Sequence, residues 1–456
     1  MLSTVAVTTR STTTRQLLST SSKRCFATVV NKNQASNIDK KYKVVVVGAG
    51  PGGLSVASTV SKLLGKDQVA VIDPAKYHYY QPLWTYVGGG LKDFKDSQRP
   101  MESLIPKKAD WIQDSVTQLE PDTNHVVLSN GQTIGYDYLV VAAGIQVNWD
   151  KIKGLKEALG KEGVTSNYSP ESVQKTHQFL QEFKGGNALF SYPNSPIKCP
   201  GAPTKIAFLA EEIFRLNGIR DKSNVIYNSF QDKIYGVDHY GVVLNRLIEE
   251  RNITFNPKHE LIEIQSNNRK AVFRNHRAQE GEEELITYDY NFLHAVPPQA
   301  PPTFIRESQL ADPVSGFVDV NKYTLRHNKY NNVFSLGDCS NLPTGKTAAA
   351  ITVESGVLKT NLIADLQGKK IKEAEYDGYA SCPLVVGRNE LVLAEFSGYT
   401  GKPLETFPMD QRKVSSLNAF VNKEIIPSIY WNGLLSGRWT GPTQFRKVFS
   451  HFRSSQ

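Results

Sequence analysis

The chain has 456 residues, 40% of them apolar, 10% aromatic and 21% charged, which excludes a wholly disordered, collagen-like or disulfide-scaffold protein. Lys and Arg number 53 against 44 Asp and Glu, a net charge of +9 that points to nucleic acid, a membrane surface or an anionic substrate according to where it sits. Four cysteines are too few for a secreted disulfide framework at this length, and the absence of any run of 18 apolar residues speaks against a transmembrane helix.

Residues 1–38 carry Arg10, Arg15, Lys23, Arg24 and Lys32 but no acid, and are rich in Ser and Thr. This is the composition of a mitochondrial or plastid transit peptide. The mature chain is expected to begin between residues 25 and 40, so Cys25 leaves with the segment.

Tyr42 to Val47 is an apolar run of buried-strand length, followed at once by Gly48-Ala49-Gly50-Pro51-Gly52-Gly53. Gly48 allows the tight turn, Gly50 the approach of a pyrophosphate, and Gly53 close packing of helix on strand. Leu54 to Leu64 reads as the helix whose N-terminus holds phosphate. Val69 to Ile72 is a second strand ending on Asp73, an acceptor for an adenosine ribose. Strand, glycine loop, helix, strand and acid in that order predict a dinucleotide site.

Later segments select FAD. Asp114-Ser115-Val116 is expected to end a strand where backbone groups read adenine. His125 to Leu128, a turn at Asn130-Gly131 and Thr133 to Tyr136 predict a hairpin. It runs into the buried strand Tyr138 to Ala143, ending at Gly144. Far downstream, Asn332 to Leu336 leads to Gly337-Asp338, and a long helix is expected from Thr347 to Leu366. Asp338 suits a ribityl hydroxyl, and the helix start at Lys346-Thr347 suits negative charge on a reduced flavin. These features resemble the two-dinucleotide-domain flavoproteins. That resemblance implies an α/β fold with two Rossmann-like domains, the FAD domain split over 42–150 and 306–400 around a middle domain at 151–305.

Within the middle domain, Asn187 to Tyr192 is a predicted strand and Thr204 to Leu216 an amphipathic helix capped near Gly218. Between them stands Pro193-Asn194-Ser195-Pro196-Ile197-Lys198-Cys199-Pro200-Gly201-Ala202-Pro203, stiffened by four prolines and holding one glycine. A pyrophosphate has no close backbone approach there, which argues against NAD(P)H. Cys199 lies in this loop and Cys382 lies 183 positions on; both precede proline, so both are expected in extended loop backbone. No zinc-like His or Cys spacing surrounds either, so no metal is predicted. Read from composition alone, the two are unconnected buried thiols more readily than a redox pair. Cys339, beside Asp338, reads as a small packed residue.

His78 to Gly90, Lys198 to Pro203, Gly337 to Ala350, Tyr376 to Val385, Leu393 to Phe396 and Pro403 to Pro408 resemble the mitochondrial sulfide:quinone oxidoreductases. The resemblance runs from residue 42 to the C-terminus. It implies that Cys199 and Cys382 form a disulfide or sulfur-bridged pair at the flavin. Hydrogen sulfide attacks it, Cys382 takes the persulfide, and Cys199 passes two electrons to FAD. Ubiquinone then takes the electrons, and a thiol or sulfite takes the sulfur. No cysteine lies between Cys25 and Cys199, so the FAD is expected to be non-covalent. The predicted cofactor contacts are Gly48, Gly50, Gly52, Gly53, Asp73, Gln81, Val116, Gly144, Asp338, Lys346 and Thr347.

Residues 411–456 hold Arg412, Lys413, Lys423, Arg438, Arg446, Lys447 and Arg453 against one acid, Glu424, interleaved with aromatic and aliphatic residues. Pro427, Gly433, Gly437 and Pro442 cut the stretch into short helices. The region from 401 onward is expected to lie on the inner mitochondrial membrane as a monotopic segment. Phe407, Phe420, Tyr430 and Trp431 are the candidates for the quinone doorway. The two ends account for the positive charge and the body is near neutral, so no nucleic-acid partner is predicted. An NADH:quinone oxidoreductase of the same fold and a non-catalytic flavin-bound redox sensor are the alternatives. The oligomeric state, a homodimer included, is left open.

Overall fold

Val44, Val45, Val46 and Val47 are all buried, as a strand covered on both faces requires. They belong to the central strand Lys40–Val47 of a seven-stranded sheet in the computed structural model, which describes residues 38–279 and 284–453. Residues 1–37 of the expected import segment lie outside the described residues.

Lys40–Val47 pairs in parallel with Val69–Ile72 on one side and Thr133–Val141 on the other, with Asp110–Ile112 at the edge beyond Val69–Ile72. Thr133–Val141 is one nine-residue strand that, besides Lys40–Val47, serves two further partners. Its beginning pairs antiparallel with His125–Leu128, and its end pairs in parallel with Val333–Ser335, nearly 200 residues later. That return brings the Gly337-Asp338 turn and the helix Ala348–Leu366 against the glycine loop: Leu336 N–H donates to Val141 O at 3.2 Å. Val116 does not end a strand as expected. Asp110–Ile112 has already ended, and Val116 opens the next strand, Val116–Glu120, paired with Leu128. The Asp114 carboxylate accepts from Ser115 N and Asn130 N, which turns the chain between the two.

A second sheet is wholly parallel, in the order Val164–Thr165, Phe292–His294, Gly186–Tyr192, Ser223–Ser229, Thr254–Pro257. Helices Ala202–Leu216 and Asp238–Glu250 make its crossovers. Helix Ala202–Leu216 ends at Asn217, and Gly218 follows with φ +67°, the left-handed position that releases a chain from a helix.

An antiparallel hairpin, Tyr379–Gly387 with Glu390–Ser397, closes the molecule over the second sheet's first helix. Arg251, just past Asp238–Glu250, holds it there by donating to Val386 O and pairing with Glu390 at 2.7 Å. Short helices Ser416–Phe420 and Ile426–Ile429 follow, each running into a wide five-residue π-turn. Among the described residues no helix is long and apolar enough to cross a membrane. The segment is built into the first sheet's side: Ser58 Oγ donates to Leu435 O at 2.7 Å, and Lys359 Nζ donates to Gly437 O at 2.9 Å.

Candidate active site

The glycine loop has the geometry its sequence predicts. Gly48 has φ +99°, and a Cβ there would meet Ala142 O at 2.4 Å. A Cβ on Gly53 would meet Gly48 O at 1.9 Å, so the helix can sit this close to the strand only with glycine. Gly50 is different: a Cβ there would meet nothing nearer than Ala142 O at 3.9 Å, and the open side is where a ligand can approach. Gly50 is also the N-cap of helix Pro51–Leu64, with no side chain satisfying the first-turn N–H groups. The Asp73 carboxylate accepts from Ala49 N at 2.7 Å and Ala75 N at 2.8 Å, which aligns it with the loop, while burial pushes its pKa up. These residues fit a dinucleotide.

Asp338, Lys346 and Thr347 line one cavity together with Gly337 and Glu354. Thr347 caps its helix, accepting Ala350 N–H at 3.1 Å. Lys346 Nζ donates to Asp338 O at 2.8 Å and Ser340 O at 3.0 Å and lies 3.9 Å over the Phe317 ring. Its ammonium braces the Asp338 turn. Glu354, which the sequence pattern does not single out, is buried and accepts Gly337 N–H at 2.7 Å; burial raises its pKa to about 7. Gly144 is left-handed at φ +70° with open space around it, and Gln81 is exposed at the start of a short 3-10 turn.

Cys199 N–H donates to Lys346 O at 2.7 Å, so the proline-rich loop of the second sheet docks onto the cavity wall of the first. Cys199 is not extended as expected. It has φ +54°, a costly conformation for a residue with a Cβ that precedes proline. Two hydrogen bonds hold it there: the one to Lys346, and Cys199 O accepting Ala202 N–H at 2.8 Å, which turns the chain straight into helix Ala202–Leu216. Cys382 is not in a loop either. It sits within strand Tyr379–Gly387, opposite Ala394.

The two sulfurs are 3.4 Å apart and unbonded, so a side-chain rotation separates them from the disulfide distance of about 2.05 Å. Gly201 makes the approach possible, since a Cβ there would lie 2.6 Å from Cys382 Sγ. Lys205, also unmarked by any sequence motif, donates from Nζ to Cys199 Sγ at 3.3 Å. It lies in the helix's first turn, where long side chains lean towards the N-terminus. The pair is electrostatically unequal. The hydrogen bond from Cys382 and then the Lys205 ammonium hold the Cys199 thiol below the usual range, against its burial. The hydrogen bond with Cys199, then burial and the Cys199 charge, push Cys382 well above it. Cys339 is fully buried and touches Val141 O and Leu336 O, an inert packed thiol.

The four quinone candidates differ in exposure. Tyr430 and Trp431 are buried: Tyr430 OH donates to His78 Nε2 at 2.6 Å, and Trp431 lies under Arg99 at 4.4 Å. Phe407 and Phe420 are 37% and 55% exposed, and Phe407 packs on Phe449. His78 Nδ1 also meets Ala49 O at 3.0 Å, so one buried histidine ties the C-terminal segment to the glycine loop.

The pyridine nucleotide-disulphide oxidoreductase family matches residues 42–180. The chain is 45% identical over 409 residues to the mitochondrial sulfide:quinone oxidoreductase of Mus musculus, covering 90% of this chain and 89% of that one. It is 46% identical over 401 residues to that of Dictyostelium discoideum, covering 88% and 87%. The X-ray structure of the sulfide:quinone oxidoreductase of Aquifex aeolicus superposes with a TM-score of 0.73 at 20% identity, covering 91% of this chain and 95% of that one, a likeness of fold. With a dinucleotide loop, an unequal cysteine pair at its cavity and relatives of this extent, the chain belongs to the mitochondrial sulfide:quinone oxidoreductases.

Proposed function

We propose that this protein oxidises hydrogen sulfide in the mitochondrion, sending two electrons through non-covalent FAD to ubiquinone and the sulfur to a thiol or sulfite. The observation that carries the reading is the pair Cys199 and Cys382, 3.4 Å apart, with one lysine at one sulfur.

In the oxidised pair, hydrosulfide attacks Cys382 Sγ, the Cys199–Cys382 bond breaks, and its electron pair leaves on Cys199. Thiol exchange runs fastest when the leaving sulfur has the lower pKa. Lys205, 3.3 Å from Cys199 Sγ, gives Cys199 that property, so the persulfide forms on Cys382. After transfer of the outer sulfur, Cys382 and Cys199 can bond again, releasing two electrons and a proton. Bound FAD supplies the two-electron acceptor for that step and can deliver the electrons to a quinone. Gly48, Gly50, Gly52, Gly53 and Asp73 would hold its adenosine and pyrophosphate; Gln81, Val116, Gly144, Asp338, Lys346 and Thr347 complete the proposed contacts.

The C-terminal segment supports a monotopic place on the inner membrane. Leu417, Phe420, Ile425, Phe445 and Val448 are exposed in a stretch that also holds Lys423 and Lys447, the composition of an interfacial segment. Phe407 and Phe420 remain the proposed doorway residues. Tyr430 and Trp431 would form its inner wall. The test is anaerobic sulfide titration followed by a soluble quinone. Sulfide, supplied with a thiol acceptor, should bleach the flavin and quinone restore it, while Cys199→Ser and Cys382→Ser keep FAD but lose bleaching. Full turnover in either variant, or bleaching by NADH in place of sulfide, would overturn the reading.

A further inference from the structure

Glu354 is an acid of the cavity wall that the cysteine chemistry leaves unused. It lies in the second turn of helix Ala348–Leu366 and is 2% exposed. Its helix faces the glycine loop: Ile351, one turn earlier, would lie 3.5 Å from a Cβ on Gly52. Glu354 Oε2 accepts Gly337 N–H at 2.7 Å, and Gly337, with φ +76°, turns the chain into Asp338. The carboxyl therefore holds the Asp338 turn at its first residue, while Lys346 Nζ holds it at Asp338 O and Ser340 O.

Charge on this wall is unbalanced. Asp338, Glu354 and Lys346 line one cavity, two acids against one base. Lys346 directs its ammonium to those two carbonyls and the Phe317 ring, and Glu354 forms no ion pair among the described residues. Tyr376 and Tyr399, which also face Glu354, are phenols that burial keeps protonated and uncharged. Burial raises Asp338 too, but the ammonium charges of Lys346 and Lys198 favour its charged form. Glu354 is raised to about 7 by burial, with the Asp338 charge acting in the same direction. Two electrons placed on a flavin here add negative charge to a wall already in excess of acid. The response of least cost is a proton on the less stabilised carboxylate.

We propose that Glu354 is a positioning residue of the flavin site that takes up a proton when the flavin is reduced and returns it when a quinone is reduced. The inference rests on the flavin reading above. Flavin reduction takes two electrons and one proton, and Glu354 takes a second proton from solvent. A quinone becoming a quinol consumes two electrons and two protons, which empties both. A carboxyl accepts from Gly337 N–H in either protonation state, so the turn is held throughout.

Glu354→Gln keeps an acceptor for Gly337 N–H and abolishes the titration; Glu354→Leu removes both. In a Cys382→Ser background, where the flavin is the group reduced, stepwise dithionite reduction in weakly buffered solution with a pH indicator counts protons. The reductant's own protons are common to all variants. Between pH 7 and 9, the protein with Glu354 intact should take up more protons per two electrons than Glu354→Gln, by up to about one. Flavin released on dilution, read by fluorescence, should agree between these two within about threefold and rise about tenfold in Glu354→Leu. Equal proton uptake overturns the proton assignment, and unaltered flavin retention in Glu354→Leu overturns the clamp on the turn. Failure of the unaltered protein to hold flavin would instead remove the reading on which the inference rests.

Discussion

Replacing Lys205 with Met tests the electrostatic asymmetry of the cysteine pair. The ammonium is 3.3 Å from Cys199 Sγ. At an effective dielectric of about 20, unit charges at that distance attract by about 5 kcal/mol, which is a ceiling. The net value of a hydrogen bond to a charged group is about 1.5–3 kcal/mol. At about 1.36 kcal/mol per pKa unit, losing it raises the first apparent pKa of the pair by about 1 to 2. The bond from the Cys382 thiol, the larger influence, is retained in the variant, so the change isolates the lysine. The sign is fixed by the direction: the Cys199 thiolate is depleted as pH falls through its pKa, and Lys205→Met moves that depletion to higher pH. The assay is iodoacetamide alkylation of Cys199 in the reduced enzyme between pH 5 and 10, read by peptide mass, alongside sulfide-driven flavin bleaching. Bleaching near pH 7 should slow about two- to tenfold and recover towards pH 9, while Lys205→Arg stays near the unaltered profile. Superimposable alkylation profiles for the Met variant and the unaltered enzyme would refute the lysine's role.

Gly53→Ala, whose Cβ would lie 1.9 Å from Gly48 O, should abolish flavin retention, measured as bound flavin per chain. Gly218→Ala has open space and strains only a left-handed residue, so it should retain flavin and lose about 1 kcal/mol in urea unfolding. His78 is pushed down to about 4 by burial, from 6.5. The folded protein therefore binds fewer protons than the unfolded chain between those values. About 3 kcal/mol of stability present above pH 6.5 should fade as pH falls towards 4, and His78→Gln should flatten that slope in urea titrations. Leu417→Ser with Phe420→Ser and Val448→Ser should weaken flotation with anionic liposomes without altering sulfide bleaching. Deleting 411–456 is a poorer test, because Tyr430, Trp431, Leu434 and Leu435 are core and the truncated chain should lose flavin as well.

Chemistry written in contiguous residues is legible from the sequence alone. Gly48, Gly50, Gly53 and Asp73 act through local backbone geometry, so their spacing carries the turn, the open approach and the acid at the next strand's end. The proline-rich loop around Cys199, with one glycine, likewise carries the expectation that no pyrophosphate is held there. Pairing Cys199 with Cys382 needs a resemblance, because a separation of 183 positions leaves their distance undetermined. Only folding decides the rest. Cys199 adopts φ +54° because Lys346 O, from the other sheet, captures its N–H. Lys205 looks like one more helical lysine until the first turn of its helix is aimed at a sulfur, and Cys382 reaches that sulfur only when the hairpin lays it over Gly201. The aromatic residues near the C-terminus are identical in kind by sequence, yet His78 draws Tyr430 inward while Phe420 stays on the surface. Local motifs determine what a segment can bind. Unequal charge on two sulfurs depends on neighbours brought together from distant parts of the chain, and no pattern along one stretch encodes that.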